Sequence, residues 1–148
     1  MPDSDAELLE TLLTQAMRRI VTHGDGLADG HAAPALTMAE SVLLIELHEA
    51  GEATQQQLAD RLDIDKSRVS RLCSALEDKH LLARERDGSN RRNLRVTISP
   101  AGTTAATRLR RLIRDRHERM LAAMTPQERS GLLLGLTALV RELDATHR

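Results

Sequence analysis

At 148 residues, 41% of them hydrophobic, the chain is long enough for one domain with a packed core and too short for two independent ones. Its net charge of -1 hides a division: residues 1–60 hold two arginines against eleven carboxylates, whereas residues 66–116 hold fourteen lysines and arginines against five carboxylates. Such a basic segment draws polyanions, and the lack of Phe, Tyr and Trp removes the aromatic platforms on which single strands and splayed RNA bases stack; duplex DNA remains available, as does a merely solvated charged surface.

The chain opens on Asp3, Asp5 and Glu7, not on a basic and then apolar leader, and no later run reaches about 18 apolar residues. A soluble, cytoplasmic protein without a membrane anchor is expected. Ser4, with Glu7 three residues later, starts a first helix whose Leu8, Leu9, Leu12, Leu13, Ala16, Met17, Ile20 and Val21 recur at helical spacing, and which ends near His23 and Gly24. Residues 24–35, rich in glycine, aspartate and proline, read as a loop. Thr37 with Glu40 starts a second helix that runs to about Glu49 and stops at Gly51, with Val42, Leu43, Ile45 and Leu47 available for a core.

Thr54 with Gln57 starts a short third helix over 55–62, and Asp65 caps the next, KSRVSRLCSALEDK. Two short helices joined so tightly read as a helix-turn-helix. In the second of them Val69, Leu72, Cys73 and Leu76 share a face. Lys66, Ser67, Arg68, Ser70 and Arg71 fall opposite it or at the N-terminal end. Cys73, the single cysteine, allows no internal disulfide and no multi-cysteine metal site.

The stretch RERDGSNRRNLRVT, residues 84–97, sets five arginines around a turn, flanked by extended arms at 81–86 and 94–98, with Val96 and Ile98 at the period of a half-buried strand. Pro100 then opens a basic helix to about Met124, carrying Arg108, Arg110, Arg111, Arg114, Arg116 and Arg119. Thr125 with Glu128, and Pro126 at the first helical position, start a last helix to about Ala145 with Leu132, Leu133, Leu136, Leu139, Val140 and Leu143.

This order of elements resembles the MarR family of bacterial winged helix-turn-helix transcriptional regulators over nearly the whole chain. The resemblance is most specific over LADRLDIDKSRVSRLCSALEDKHLLARERDGSNRRNLRVTISPAG, residues 58–102. It implies a mainly α fold with a small β-hairpin wing, divided into an N-terminal dimerisation helix and loop (1–36), a winged helix-turn-helix (37–99) and C-terminal dimerisation helices (100–148) within one continuous compact unit. It also implies a homodimer whose recognition helices enter the major groove while a wing arginine enters the adjacent minor groove.

Carried over by position, Asp65 caps the recognition helix, and Lys66, Ser67, Arg68, Ser70 and Arg71 face bases or phosphates. Arg92 is then the minor-groove arginine, and Arg91 meets the backbone. Two positions depart from the family's pattern. Asn90 replaces the aspartate of the usual Asp-Arg-Arg wing triplet and cannot supply a charge-assisted brace. His80 stands where glycine often separates the recognition helix from the wing.

Arg68 and Arg71 can each meet O6 and N7 of a guanine together, although phosphate anchoring is an equal alternative. The wing arginines suit the enhanced negative potential of a narrow minor groove; a charged edge that prevents sheet pairing is the alternative. Cys73 reads as a small buried hydrophobe rather than a redox switch. The six histidines show no metal-ligand spacing, and no phosphate-cradling glycine loop, nucleophile elbow or Cys-His pattern supports an enzyme, so no cofactor, metal or catalytic residue is expected. The expected function is a sequence-specific, double-stranded DNA-binding regulator: a homodimeric repressor on a pseudo-palindromic operator, released by a small-molecule effector whose contact residues the sequence leaves unknown. A winged-helix protein-interaction module and a constitutive, non-specific DNA binder are the alternatives.

Overall fold

The structure, a computed structural model, describes residues 4–24, 35–88 and 90–146, with the backbone alone at 21–24, 87 and 90–93. Its elements run α1 (Asp5–Gly24), α2 (Met38–Ala50), β1 (Glu52–Thr54), α3 (Gln55–Leu62), α4 (Lys66–Asp78), β2 (Leu82–Asp87), β3 (Asn90–Ile98), α5 (Pro100–Ala122) and α6 (Pro126–Thr146). Of the loop expected at 24–35, residues 25–34 lie outside the described residues.

The helix starts follow from hydrogen-bond satisfaction. Thr37 with Glu40, Thr54 with Gln57, and Thr125 with Glu128 each exchange side-chain and backbone bonds in both directions, so two of the free N–H groups at each helix end are met. At Ser4 the hydroxyl accepts from the N–H of Glu7 at 3.3 Å. Helix α2 stops at Gly51, whose φ of 77° is left-handed and whose N–H donates to the Leu47 carbonyl.

The sheet is antiparallel with strand order β1-β3-β2. Strand β1 was not expected: three residues are too few to register an alternating pattern, and it exists because Ala53 pairs with Val96 of β3. The hairpin ladder also reaches closer to its turn than the arms 81–86 and 94–98, and β3 begins at Asn90.

Two compact units can be distinguished, Met1–Arg110 and Arg111–Arg148. The first contains the core: Leu43, Leu44 and Leu47 of α2, Leu58 and Ala59 of α3, Val69, Cys73 and Leu76 of α4, Leu81, Leu82, Val96, and Ala105, Ala106 and Leu109 of α5. Each fully buried leucine contributes about 1.5–3 kcal/mol. Val42, expected here, is 46% exposed, because the apolar stripe of α2 is centred on Leu43 and Leu47 and takes Leu44 as its neighbour instead. In the second unit α6 has no buried residue, and Leu133, Leu134, Val140 and Leu143 are all exposed.

Candidate nucleic-acid interface

A three-residue turn separates α3 from α4. Asp63, left-handed at φ 51°, ends α3; Ile64 returns its N–H to the Ala59 carbonyl at 3.1 Å, and Asp65 restarts the chain as an N-cap. The Asp65 carboxylate accepts from the backbone N–H of Arg68 at 2.8 Å and from the hydroxyl of Ser67. These bonds, the Ser67 hydroxyl first, hold its pKa below the ordinary carboxylate value, with help from the Arg71 charge.

From that cap, Val69, Cys73 and Leu76 point into the core with no exposed surface, while Lys66, Ser67, Arg68 and Arg71 are exposed and Ser70 is half-buried. The helical period thus sets Ser67 and Arg71 opposite the buried row with Arg68 beside them, while Lys66 stands at the N-terminal end of the helix. Burial pushes the Cys73 thiol up to about 11, against smaller opposing pulls from the Arg84 charge and the Gln55 amide, so the reactive thiolate is suppressed.

The helix-to-wing junction is tightly specified. At the end of α4 the Leu81 N–H donates to the Leu76 carbonyl and the His80 N–H to that of Glu77, with His80 left-handed at φ 59°. This is the Schellman arrangement, in which glycine normally takes the left-handed position; the departure at His80 is one of residue, with the backbone of a glycine cap retained. The Ile-Ser-Pro-Ala-Gly stretch at 98–102 closes the joint. Ser99 donates from its N–H to the Leu81 carbonyl and from its hydroxyl to the His80 carbonyl, and it accepts from the N–H of Gly102.

In the wing, the ladder is regular from Leu82↔Ile98 to Arg86↔Leu94, then jumps to Asp87↔Asn90. Arg91, Arg92 and Asn93 therefore occupy an irregular stretch of β3 with no residue of β2 opposite them. The side chains of Asn90, Arg91 and Arg92, the expected wing contacts, lie outside the described residues.

Of the five arginines of the stretch 84–97, Arg84 turns inward. Its Nη2 donates to Oε1 of Glu77 at 3.1 Å and its Nε to Oε2 at 3.4 Å, while its backbone N–H donates to Oε2 at 3.0 Å. The Arg84 guanidinium holds the Glu77 carboxyl below its ordinary pKa. A signal for this existed in the sequence. Directly opposite residues of an antiparallel pair share a face, and Arg84 faces the buried Val96, two residues on from Leu82. Among the described residues no group of three or more His, Cys, Asp or Glu is placed to hold a metal, and no helix is long and apolar enough to cross a membrane.

The chain matches the MarR family over residues 36–94. Over 125 residues it is 34% identical to YxaD, an uncharacterised HTH-type transcriptional regulator of Bacillus subtilis (strain 168), covering 83% of this chain and 84% of that one. A Thauera aromatica protein whose name links it to transcriptional regulation of the hcr operon is 29% identical over 92 residues, which span 62% of this chain and 55% of that protein. The crystal structure of FabT from Streptococcus pneumoniae, solved in complex with DNA, superposes with a TM-score of 0.84 over 96% of this chain and 99% of that one. At 19% identity this is a likeness of fold.

Proposed function

The chain belongs to the MarR family of DNA-binding winged helix-turn-helix transcriptional regulators, and from that premise we propose that it acts as a homodimeric, sequence-specific repressor released by a small-molecule effector. The observation that carries the DNA-reading part is the set of exposed donors on α4, with Arg68 and Arg71 turned away from the buried Val69, Cys73 and Leu76 and Lys66 at the helix N-terminal end. Lys66, Ser67, Arg68, Ser70 and Arg71 enter the major groove, and Arg91 and Arg92, with Asn90, serve the minor groove and its backbone. An interaction module would need exposed apolar anchors on α4; among the described residues, none of the exposed large hydrophobic side chains lies there.

Dimerisation is supported by exposed apolar faces: Leu8, Leu9, Leu12, Met17 and Ile20 on α1, and Leu132, Leu133, Leu136, Val140 and Leu143 on α6. Such faces are larger than a monomer normally leaves in water, and a second copy is the proposed cover. Two-fold symmetry then sets two half-sites about 34–36 Å apart, or a multiple of that, on a pseudo-palindromic operator. An effector releases repression only by binding better to the conformation that does not fit DNA.

The test is fluorescence anisotropy of a labelled duplex from upstream of the protein's own gene, against a scrambled duplex, over several salt concentrations. Discrimination of about 10³ or more supports the specific regulator. Weak, equal and steeply salt-dependent binding to both would leave a constitutive, non-specific binder. Unchanged affinity across a panel of phenols and aromatic acids would remove the effector, and a monomer in dilute-solution mass measurement would remove the dimer.

A further inference from the structure

We propose that Arg84 and Glu77 form a positioning pair that fixes the angle between the recognition helix and the wing, making the two grooves' contacts a single event. The inference rests on the DNA-reading role of α4 and the wing proposed above.

Arg84 lies in the regular part of β2, three residues before the hairpin turn begins at Asp87. Glu77 lies in the last turn of α4. Their contact is a two-pronged fork, strengthened by the backbone N–H of Arg84, which donates to the same carboxylate. Such forks fix geometry as well as distance. The guanidinium makes a fourth contact: Nη1 donates at 3.5 Å to the carbonyl of Ser70, two helical turns before Glu77 and between Arg68 and Arg71. One side chain of the wing strand therefore grips α4 both at its end and beside its exposed donors.

The pair's exposure argues for geometry over stability. Glu77 keeps 40% of its side chain in water against 8% for Glu40, so its carboxylate stays solvated and the pair's contribution to folding is modest. A lysine in place of Arg84 would satisfy the charge but could not form the fork.

The test uses the full-length protein and the labelled duplex of the previous section, with Arg84→Lys, Arg92→Ala and the double variant, and Glu77→Gln as the second route should Arg84→Lys fail to fold. The expected result is about tenfold weaker binding for Arg84→Lys, a fall of about one in the log–log salt slope, and near-wild-type thermal melting. In the Arg92→Ala background the same substitution should cost less than about twofold, because the wing contact it positions is already gone. A merely structural pair would lower the melting temperature and leave affinity and salt slope alone. Equal losses in both backgrounds, no loss at all, or an Arg92→Ala variant that binds like wild type would each overturn the proposal. Failure of the wild-type protein to discriminate the duplexes is a separate result, which overturns the DNA-reading role itself.

Discussion

A Cβ at residue 102 would stand 2.0 Å from the carbonyl oxygen of Leu81 and 2.8 Å from Cγ1 of Ile98, so Gly102 lets α5 begin directly against the junction of α4 and the hairpin. Both neighbours are pinned: the Leu81 carbonyl accepts from Ser99, and Ile98 pairs with Leu82. Gly102→Ala is therefore expected to cost about 3 kcal/mol, at the upper end of overpacking, because backbone has to move. For a chain of this size that is a fall of roughly 6–12 °C in melting temperature. Urea unfolding checks it, and an unchanged midpoint would mean that α5 can shift freely away from Leu81.

His80 makes the converse case. It holds a left-handed backbone at φ 59° in the Schellman turn, which a β-carbon disfavours by roughly 1–2 kcal/mol and glycine does not. Its own side chain is exposed. His80→Gly is expected to raise stability by up to about 1 kcal/mol, partly offset by the greater freedom of glycine in the unfolded chain. A lower melting temperature would show that the imidazole makes a contact worth more than the strain.

These two positions show which parts of the fold the sequence could disclose. Helix starts were readable because a Ser or Thr with Glu or Gln three residues on is a local hydrogen-bond exchange, and those at Thr37, Thr54 and Thr125 form reciprocally in the structure. The exposed Arg68 and Arg71 were readable because helical period turns them away from Val69, Cys73 and Leu76, and Lys66 because it follows the Asp65 cap at the N-terminal end. Strand β1 was not readable, because it depends on pairing with the distant β3, whereas the inward turn of Arg84 had a local signal, its period-2 spacing from Leu82, that was not read. Val42 was misplaced for a related reason: α2 is apolar over much of its surface, so its buried stripe is chosen by what packs against it.

Lys79 ties the start of α2 to the end of α4. Its ammonium donates to Oε2 of Glu40 at 2.6 Å and to the Ala35 carbonyl at 2.8 Å, while the same Oε2 accepts from the Thr37 N–H at 3.1 Å. The Glu40 side chain is nearly buried, so removing its partner strands a carboxylate. Lys79→Met is expected to destabilise by about 2 kcal/mol, short of a fully buried pair because Lys79 is partly exposed. The double variant Lys79→Met, Glu40→Gln should recover part of that loss in urea unfolding. Additive losses would argue against the coupling.

Cys73 gives the alkaline limb of stability a sign. Burial raises its pKa from 9.0 to about 11, so the folded thiol keeps its proton after the unfolded one has lost it. The contribution is fully present below pH 9 and is lost as pH rises toward 11. Cys73→Ala should flatten the stability profile in that window relative to wild type, on top of a pH-independent packing loss. At neutral pH a thiol reagent such as DTNB should label the native protein only at the rate of its opening. Rapid stoichiometric labelling without denaturant would contradict the burial.

Arg68 and Arg71 are both exposed on α4, yet the Asp65 cap differs in its relation to them: its carboxylate takes the backbone N–H of Arg68 and feels Arg71 only through charge. Replacing either arginine by alanine leaves that cap intact, so folding should be unaffected and the loss should appear in DNA binding alone. A base-reading arginine should cost about 1–3 kcal/mol on the preferred duplex and relax preference at one base pair; a phosphate anchor should weaken all duplexes alike and reduce the salt slope by about one. Anisotropy titrations of each variant against duplexes carrying every single-base change in one half-site separate the two roles. If both variants bind like wild type, α4 is not the reading helix.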